Sequence, residues 1–377
     1  MPYPELSDYC IKDVTGILSP GVLIFKHLLE HNIDEMVRIA GRPEQLRPHC
    51  KTHKCREIVR MFLERGVLNH KCATIAEAEM LAGAGATNVM IAYQMVGPNL
   101  DRLGRLMHQF PTVEFSVLVD CPAGVSLLSN LVTEVSPDRS IGVFLDLNSG
   151  MQRTGIAPGQ RAIELYEMIA AGDGVRPSGL HWYDGHHRQP DLSERRTAVE
   201  VGWQGLTHFR DQLLLSGLEV PNVVAAGTGS FPILAELGEP NLQLSPGTTT
   251  FHDDDMATRF PELNFFPAQA ILTRVISRPQ HGSLTLDVGH KACAADQPFG
   301  QRLSFPQLSS FNEVIHSEEH LVIETPDANQ FRIGDHLIAF SRHACPVSAV
   351  HQFATVIEDG NVFDRWEMVA RDRMITI

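Results

Sequence analysis

The stretch EFSVLVDCPAGVSLLSNLVTEVSPDRSIGVFLDL, residues 114–147, indicates the fold class of the chain. Two β-rich runs, 114–120 and 141–147, flank a segment with a helical pattern over 123–135. Strands that alternate with helices in this way are typical of α/β proteins with a parallel sheet. The stretch therefore predicts one strand–helix–strand unit of such a sheet.

The same alternation extends along the chain on both sides of this stretch. The β-rich runs are GVLIF (21–25), LRPHC (46–50), HKCATI (70–75), NVMIAY (88–93), EFSVLVD (114–120), IGVFLDL (141–147), SGLHWY (178–183) and NVVAAG (222–227). Eight strands favour an eight-fold (β/α) TIM-type barrel over residues 21–250. A doubly wound open sheet stays an alternative, because periodicity does not separate the two, although no GxGxxG motif follows the first strand.

The pattern of predicted elements changes after about residue 255. The later runs are AQAILTRVISRP (268–279), SLTLDVGH (283–290), LVIETP (321–326), HLIAFSRH (336–343) and HQFATVIEDGNVF (351–363). Such runs, separated by turn residues, predict strands with hardly any helix. We therefore expect a β domain that follows the barrel and comprises residues 1–20 and 251–377.

Composition excludes several functional classes. The chain has 377 residues, of which 43% are hydrophobic and 20% charged, and its formal net charge is −14. This acidic balance argues against a nucleic-acid or anionic-membrane partner, because clustered basic residues dominate such binding. No signal peptide or transmembrane segment is predicted. Seven cysteines without a CxxC pair favour a reducing cytoplasm over a disulfide framework, so the expected location is cytoplasmic.

Lysine is scarce in this chain. The six lysines are Lys12, Lys26, Lys51, Lys54, Lys71 and Lys291. Lys51 stands in RPHCKTHKC (47–55), at the end of the second predicted strand, where barrels carry their reactive groups. A lysine that is partly desolvated there becomes a nucleophile toward a carbonyl, and the alternative is a cation in a polar loop. The segment also holds possible metal ligands, although side chains at a strand–loop junction alternate in direction: His49, Cys50, His53 and Cys55.

Three loops after predicted strands carry groups that suit anions. In LNSGMQRTG (147–155), Arg153 could hold an anionic oxygen of a ligand or a loop salt bridge. The turns AAGTGS (225–230) and LSPGTTT (244–250) could cradle a phosphate through backbone N–H groups, or could be ordinary tight turns. Two such turns late in a barrel coincide with the usual phosphate corner of that fold.

The segment SRHACPVS (341–348) pairs His343 with Cys345. On a strand, this i, i+2 spacing puts both side chains on one face. Imidazole nitrogen and thiolate sulfur suit zinc, and two protein ligands leave positions open for water or substrate. The alternative is a buried cysteine next to a hydrogen-bonded histidine.

Taken jointly, these motifs resemble the D-threonine aldolase and D-serine dehydratase family of pyridoxal phosphate enzymes. The motifs, in the family's order, are RPHCKTHKC, KCATIAEAEMLA (71–82), SGMQRTGI (149–156), HWYDGHH (181–187), AAGTGS, LSPGTTT, LDVGHKACAADQP (286–298), SEEH (317–320) and RHACP (342–346). The resemblance spans nearly the whole chain. It implies the alanine-racemase-type fold, an eight-fold α/β barrel with a β domain, and a homodimer.

The resemblance also implies roles for individual residues. Lys51 would form the Schiff base (aldimine) with pyridoxal 5'-phosphate, Arg153 would face its phenolic oxygen, and Tyr183 would lie against its ring. The phosphate would be held by a set of small residues, namely Gly227, Thr228, Gly229, Gly247 and Thr248. His343 and Cys345 would bind a divalent metal beside the cofactor, with zinc or manganese expected and magnesium as a further alternative.

The implied activity is that of a lyase acting on D-3-hydroxy amino acids. D-threonine aldolase activity is favoured, because Tyr183-Asp184-Gly185-His186 and SEEH are similar to the aldolase side of the family. A D-serine or 3-hydroxy-D-aspartate dehydratase is the alternative, because Cys345 is similar to the dehydratase side. Ser245 stands where racemases have an arginine, which disfavours racemase activity. Weaker alternatives are a non-catalytic cofactor-binding protein and a cofactor-free metal hydrolase that uses His49, His53, His186 and His187.

Overall fold

The computed structural model describes residues 5–377. The strands are β1 (Gly21–Phe25), β2 (Asn69–Cys72), β3 (Asn88–Ile91), β4 (Glu114–Val119), β5 (Ile141–Asp146), β6 (Val175–Trp182), β7 (Asn222–Ala225), β8 (Leu242–Leu244), β9 (Gln269–Ser277), β10 (Ser283–Leu286), β11 (Leu303–Ser304), β12 (Asn312–His316), β13 (Leu321–Glu324), β14 (His336–Ser341), β15 (Phe353–Glu358) and β16 (Asn361–Glu367). The α-helices are α1 (Lys26–Ala40), α2 (Arg56–Glu64), α3 (Ile75–Ala84), α4 (Pro98–Gln109), α5 (Pro122–Val135), α6 (Gln160–Ala171), α7 (Leu192–Leu215), α8 (Phe231–Ala235), α9 (Asp254–Arg259), α10 (His290–Cys293) and α11 (Ala344–Val350). Short 3₁₀ helices lie at Leu6–Tyr9, Pro43–Gln45, Cys50–Thr52, Thr248–Thr250 and Pro326–Gln330.

The chain divides into two compact units. The parallel-sheet unit comprises residues 36–51, 56–247 and 372–377. The mixed-sheet unit comprises the residues up to 35, then 52–55 and 248–371. These bounds differ from the expected division into 21–250 and the remainder. Residues 21–35, 52–55 and 248–250 belong to the mixed-sheet unit, and residues 372–377 belong to the parallel-sheet unit.

The parallel-sheet unit contains a seven-stranded sheet in which β2 to β8 lie side by side in chain order. The sheet is a curled half-barrel with helices between its strands. Helix α3 shows the local rules: the Thr74 side chain accepts the Glu77 N–H at 3.1 Å at its start, and Gly85 ends it with φ +108°. A core cluster from four strands is fully buried or nearly so and packs on one face of the sheet: Met90, Leu118, Phe144 and Val224.

The prediction of eight strands in the parallel sheet is wrong, because the sheet contains seven regular strands. GVLIF, which is β1, pairs with β9 and β15 of the mixed sheet and not with the parallel sheet. LRPHC forms only isolated bridges, Leu46 with Leu244 and His49 with Lys71. Pro48 lies between them and has no N–H to continue a ladder. The short strand β8 lies outside the predicted runs.

The mixed-sheet unit confirms the predicted C-terminal, mostly β domain. Its path runs β12-β13-β10-β9-β1-β15-β16, and β14 pairs with β9 and with β11. The pairings are antiparallel except for that of β1 with β15. Tyr9 packs edge-on against Phe25 and Phe340, with ring centroids 4.9 and 4.7 Å away, and anchors the N-terminal segment on this core.

Among residues 5–377, every helix is too short or too polar to cross a bilayer.

Candidate active site and candidate metal centre

Three cationic groups flank the aromatic ring of Tyr183. The Nζ atoms of Lys51 and Lys71 lie 5.9 and 5.7 Å from the ring centroid, and Cζ of Arg153 lies 5.0 Å from it. Cations at such distances are attracted by the negative face of the ring. The structure therefore brings together three residues singled out from the sequence and adds Lys71, for which no role was predicted.

Strand ends explain why these side chains meet. Tyr183 directly follows β6, and Lys51 lies in the 3₁₀ turn that follows the bridge residue His49. His49 is paired with Lys71, and the Lys71 N–H donates to the Pro48 carbonyl at 3.0 Å. The carboxyl ends of parallel strands lie at one edge of a sheet, and reactive groups of barrel enzymes occupy that edge.

Lys71 is the most deeply buried amine of this cluster, with 2% of its surface exposed. Burial, followed by the positive charges of Lys51 and Arg47, lowers the pKa of Lys71 to about 7. The carboxylates of Asp146 and Asp184 oppose that shift. Lys71 can therefore exchange a proton near neutral pH, unlike an exposed lysine.

A carboxylate and an imidazole are paired at the ends of β5 and β6. Asp146 and His181 stand opposite each other in the strand register, and Oδ1 of Asp146 lies 2.6 Å from Nδ1 of His181. Burial lowers the pKa of His181, and the hydrogen bond with Asp146 opposes this only in part. Burial acts to raise the pKa of Asp146, but the bond from His181 lowers it overall. The neutral imidazole thus donates Nδ1–H to the carboxylate.

The second nitrogen of His181 is available to a ligand. His181 is 4% exposed, and its Nε2 atom has no hydrogen-bond partner among the described residues. An unpartnered buried polar atom costs about 1–3 kcal/mol, so such atoms call for a functional or solvent explanation. The explanation favoured by its position is that Nε2 accepts a proton or a hydrogen bond from a bound molecule.

The turn AAGTGS is tied to the residue after Tyr183. Oδ1 of Asp184 accepts the Gly227 N–H at 2.9 Å and the Ser230 hydroxyl at 2.7 Å. The Gly227 N–H is therefore occupied within the chain. The N–H groups of Thr228 and Gly229 carry no hydrogen bond to another described residue, so both can donate to a ligand.

Close packing explains the glycine at the start of this turn. A Cβ atom at Gly227 would lie 3.1 Å from Cα of Gly185, which is tighter than ordinary van der Waals contact. Arg195, which is fully buried, donates from Nε to the Gly229 carbonyl at 3.1 Å and holds the turn from α7. The loop is therefore preorganised by backbone contacts.

The second predicted phosphate turn, LSPGTTT, spans the boundary between the two units. Gly247 closes its segment of the parallel-sheet unit, and Thr248 begins a 3₁₀ helix in the mixed-sheet unit. Ser245 is 2% exposed, and its hydroxyl donates to the Arg47 carbonyl at 2.8 Å. Ser245 therefore has a structural partner and carries no positive charge.

His343 and Cys345 lie at the start of a helix and not on a strand. The strand β14 ends at Ser341, His343 is the residue that caps α11, and Cys345 lies in its first turn. Pro346 follows in that turn, where proline is tolerated because the first N–H groups of a helix have no partner within it. The expectation that both residues lie on one strand face is therefore wrong.

Carboxylates hold this segment in place. Nδ1 of His343 lies 2.6 Å from Oδ2 of Asp296, and Oδ2 of Asp253 accepts the Ala344 N–H at 3.0 Å. Burial acts to lower the pKa of His343, but Cys345 and Asp296 raise it to about 9. The Thr52 hydroxyl lies 3.3 Å from the Cys345 sulfur.

A second group of potential metal ligands lies in the parallel-sheet unit. The ligand atoms of His49, Cys50 and Glu77 lie within 4.8 Å of one another, and all three residues are buried. However, Oε2 of Glu77 accepts the Ala73 N–H at 2.6 Å, and Nδ1 of His49 accepts the Lys51 N–H at 3.2 Å. The buried carboxylate of Glu77 therefore already has a backbone donor in the segment just before α3.

The four histidines of the hydrolase alternative do not form a metal cluster within the described units. His186 and His187 stack, with ring centroids 4.2 Å apart. His53 belongs to the mixed-sheet unit, and its Nδ1 accepts the Cys55 N–H at 3.2 Å. His49 has the partners given above. In residues 5–377, the group of His49, Cys50 and Glu77 is the one three-ligand candidate.

Comparison with known proteins identifies both parts of the chain. Residues 26–248 match the family "Alanine racemase, N-terminal domain", and residues 268–357 match "Putative serine dehydratase domain". The chain is 28% identical to a D-threonine aldolase of Arthrobacter sp, over 94% of this chain and 92% of the relative. It is 25% identical to a 3-hydroxy-D-aspartate aldolase of Paracoccus denitrificans, over 96% and 94% of the two chains.

A solved structure supports the same assignment. The crystal structure of D-threonine aldolase from Filomicrobium marinum superposes with a TM-score of 0.87 at 28% identity and covers 94% of this chain and 95% of its own. The chain belongs to the alanine racemase N-terminal domain family. The predicted membership of the D-threonine aldolase and D-serine dehydratase group is confirmed, and with it the class of pyridoxal phosphate-dependent lyases.

The chemistry of the parallel-sheet site fits a pyridoxal phosphate. Four cationic side chains, Arg47, Lys51, Lys71 and Arg153, act on this region against the carboxylates Asp146 and Asp184. Arg47 and Lys71 are buried and Lys51 is half-buried, whereas Arg153 is exposed, and an anion bound beside them would offset this positive charge. A phosphate with a phenolic oxygen supplies that anion, and Lys51 supplies the primary amine.

The donor set at His343 and Cys345 fits a divalent metal. Imidazole nitrogen and thiolate sulfur are ligands that zinc prefers, and a carboxylate behind the imidazole is the usual second partner of a metal-binding histidine. Asp296 occupies that position through Nδ1 of His343.

Several residues of these sites carry no predicted role. Asp146 and His181 lie at strand ends, and Asp184 and Ser230 lie within the quoted motifs HWYDGHH and AAGTGS. The available signal was the rule that strand ends carry function. It could have nominated Asp146 and His181, but the sequence does not show that these two residues are opposite each other in register.

Proposed function

We propose that this chain is a pyridoxal phosphate- and divalent metal-dependent lyase acting on D-3-hydroxy amino acids, with D-threonine aldolase as the favoured activity. The reaction would cleave the Cα–Cβ bond to give glycine and an aldehyde. The observation that carries the proposal is the arrangement of Lys51 and Arg153 about the Tyr183 ring. Similarity to a D-threonine aldolase over 94% of the chain supports it.

Residues of the parallel-sheet unit would bind the cofactor. Lys51 would bind it covalently through its amine, Arg153 would pair with the phenolic oxygen, and Tyr183 would contact the ring. The phosphate would be held by Gly227, Thr228, Gly229, Gly247 and Thr248, with free N–H groups at Thr228 and Gly229. When bound, the cofactor supplies an electron sink for bonds broken at the substrate α-carbon.

The chain offers two groups that can move protons in the proposed reaction. Cleavage requires removal of the β-hydroxyl proton, whereas elimination requires removal of the α-proton. His181 is held by Asp146 with a free Nε2, and burial together with Lys51 and Arg47 lowers the pKa of Lys71 to about 7. Both groups therefore suit general acid–base chemistry near neutral pH.

Residues of the mixed-sheet unit would bind the metal. Nε2 of His343 and the sulfur of Cys345 would be its protein ligands. A divalent cation supplies Lewis acidity toward a substrate hydroxyl. The sulfur ligand favours zinc over magnesium, because magnesium prefers oxygen ligands.

The second candidate is a D-serine or 3-hydroxy-D-aspartate dehydratase, which would release ammonia and a keto acid. Two observations favour it: residues 268–357 match the serine dehydratase domain, and a cysteine stands at position 345. A non-catalytic cofactor-binding protein is disfavoured by the presence of this second domain. A cofactor-free hydrolase is disfavoured by membership of a pyridoxal phosphate-dependent family.

Product analysis separates the candidates. Purified protein with pyridoxal phosphate and Zn²⁺ or Mn²⁺ is incubated with D-threonine, D-serine and 3-hydroxy-D-aspartate, with and without a chelator. Glycine with an aldehyde supports the aldolase, and ammonia with a keto acid supports the dehydratase. Absence of both product sets from all three substrates contradicts both candidates. The homodimer and the cytoplasmic location stay predictions, and sedimentation of the purified protein tests the first.

A further inference from the structure

The imidazole of His343 makes a short contact with a carboxylate from a distant part of the chain. Nδ1 of His343 lies 2.6 Å from Oδ2 of Asp296, which is 47 residues earlier in the sequence. Both residues belong to the mixed-sheet unit. The two side chains are 39% and 37% exposed, so neither is held there by burial alone.

We propose that Asp296 is a positioning residue for the metal, which fixes the tautomer and the ring orientation of His343 so that Nε2 faces the cation. The inference rests on the proposed metal site at His343 and Cys345. It adds a third residue that does not touch the metal and acts through His343.

The chemistry of imidazole gives the reason. When Nδ1 carries the proton and donates it to a carboxylate, the lone pair remains on Nε2. The carboxylate also raises the basicity of that nitrogen, which strengthens its bond to a metal. Without Asp296, the ring can rotate and can present either nitrogen. Metal binding must then offset the entropy that is lost when the ring becomes ordered.

The backbone of this segment does not depend on Asp296. Asp253, which is 4% exposed, accepts the N–H of Ala344 between the two proposed ligands at 3.0 Å. Its other oxygen accepts the Met256 N–H at 3.1 Å at the start of α9. Removal of Asp296 should therefore free the imidazole ring without releasing the loop that carries it.

A simple ion pair is the competing explanation, and it predicts a different result. An exposed pair between His343 and Asp296 would contribute little to stability and nothing specific to metal binding. Loss of a carboxylate behind a metal-binding histidine instead weakens metal binding about 10- to 100-fold. Metal affinity and stability measured on the same proteins therefore separate the two explanations.

The experiment compares metal-stripped wild type with Asp296→Ala, Asp296→Asn and the control Glu367→Gln, which removes an exposed carboxylate of β16. Zn²⁺ affinity is measured by competition with a chromophoric chelator, and Co²⁺ absorption reports sulfur and nitrogen ligation. We expect Asp296→Ala to weaken Zn²⁺ binding about 10- to 100-fold. Asp296→Asn should fall between, because its amide oxygen still accepts the Nδ1–H without the charge. Glu367→Gln should match wild type.

Two results overturn the inference, and they differ from each other. If Asp296→Ala and Asp296→Asn bind Zn²⁺ within about twofold of wild type while His343→Ala loses binding, the metal site stands and the role of Asp296 is wrong. If His343→Ala binds Zn²⁺ as wild type does, the metal assignment fails and the inference fails with it. The urea midpoint of each metal-free variant confirms folding. Should Asp296→Ala fail to fold, Asp296→Asn decides the question.

Discussion

Asp146 on β5 stands opposite His181 on β6, with Oδ1 of the carboxylate 2.6 Å from Nδ1 of the imidazole. The pair orients a buried ring whose other nitrogen has no partner in the described part of the chain. A carboxylate that holds a histidine in one tautomer is a common means of preparing that histidine for proton transfer. The pair should therefore act as one unit in catalysis.

We expect Asp146→Ala and His181→Ala each to lower kcat/KM by about 10- to 100-fold, which corresponds to the loss of one charged hydrogen bond. The double variant should lose little more than either single one, because the residues act together. Steady-state kinetics on the best substrate gives all three values. Additive losses would contradict a coupled pair. Thermal melting of each variant serves as the control for folding.

Replacement of Lys51 should abolish both cofactor retention and turnover. Lys51→Ala removes the primary amine, and Lys51→Arg should not restore function because a guanidinium stays protonated. We expect a loss of activity of at least about a thousandfold in both. Absorbance of dialysed protein reports bound pyridoxal phosphate. A Lys51→Ala protein that keeps this absorbance while the matched variant Lys12→Ala behaves as wild type would falsify the assignment.

Lys71→Met should stabilise the protein and harm the site. The buried amine has its pKa lowered to about 7 by burial and by the charges of Lys51 and Arg47, so folding already opposes its charge. An apolar side chain of similar length should raise the free energy of unfolding by about 1–3 kcal/mol in the cofactor-free protein. The same change should weaken pyridoxal phosphate binding, because one cation of the site is lost. Urea midpoints and equilibrium titrations test both statements, and a lower midpoint would contradict the first.

Metal removal should stop the reaction, and the two candidate clusters can be told apart. We expect a chelator to abolish activity and Zn²⁺ to restore it. His343→Ala and Cys345→Ala should lose the metal, whereas Glu77→Gln should retain it because the Glu77 carboxylate already accepts the Ala73 N–H before α3. Metal content by atomic spectroscopy after gel filtration gives the answer. Retention of metal by His343→Ala with loss by Glu77→Gln would assign the metal to the other cluster.

Stability should fall as the pH drops below about 6.5. Burial lowers the pKa of His70 to about 4 and that of His252 to about 3. The unfolded chain binds protons at these histidines from pH 6.5 downward, whereas the folded chain does not, so each destabilises the fold by about 1.4 kcal/mol per pH unit in that window. The loss levels off below the folded pKa values.

The histidine contribution can be isolated with two matched variants. His70→Gln keeps a side-chain donor near the Val67 carbonyl, which lies 3.1 Å from Nε2 of His70, but does not titrate. We expect the urea midpoint of this variant to vary less with pH between 4.5 and 6.5 than that of wild type. His208→Gln changes an exposed histidine of α7 and should leave the slope unaltered. An unaltered slope for His70→Gln would contradict a contribution of His70 to acid unfolding.

Much of this architecture follows from local sequence pattern. The runs 114–119 and 141–146 are strands of the parallel sheet as predicted, because β-rich runs and intervening helices carry the signal within a few residues. The same local signal assigns GVLIF to the wrong sheet, because its pattern is that of a buried strand and its partners β9 and β15 lie more than 240 residues away.

The residues of the candidate sites also differ in whether the local sequence marks them. Lys51, Arg153 and Tyr183 could be nominated because motifs mark them, and the structure brings them together. The pairs of Asp146 with His181 and of Asp296 with His343 could not, because strand register and long loops set those contacts. Short-range rules also misplace RHACP on a strand, since α11 begins there at Ala344.

The central position of β1 has a consequence for synthesis of the chain. This strand, which begins at Gly21, is made before its neighbours β9 and β15, which begin at Gln269 and Phe353. At usual rates of about 5–20 residues per second, β1 leaves the ribosome many seconds before either partner exists. During that time it is an apolar segment with two unpaired edges, which is the kind of segment that chaperones bind. The yield of folded protein should therefore depend on how β1 is protected during translation.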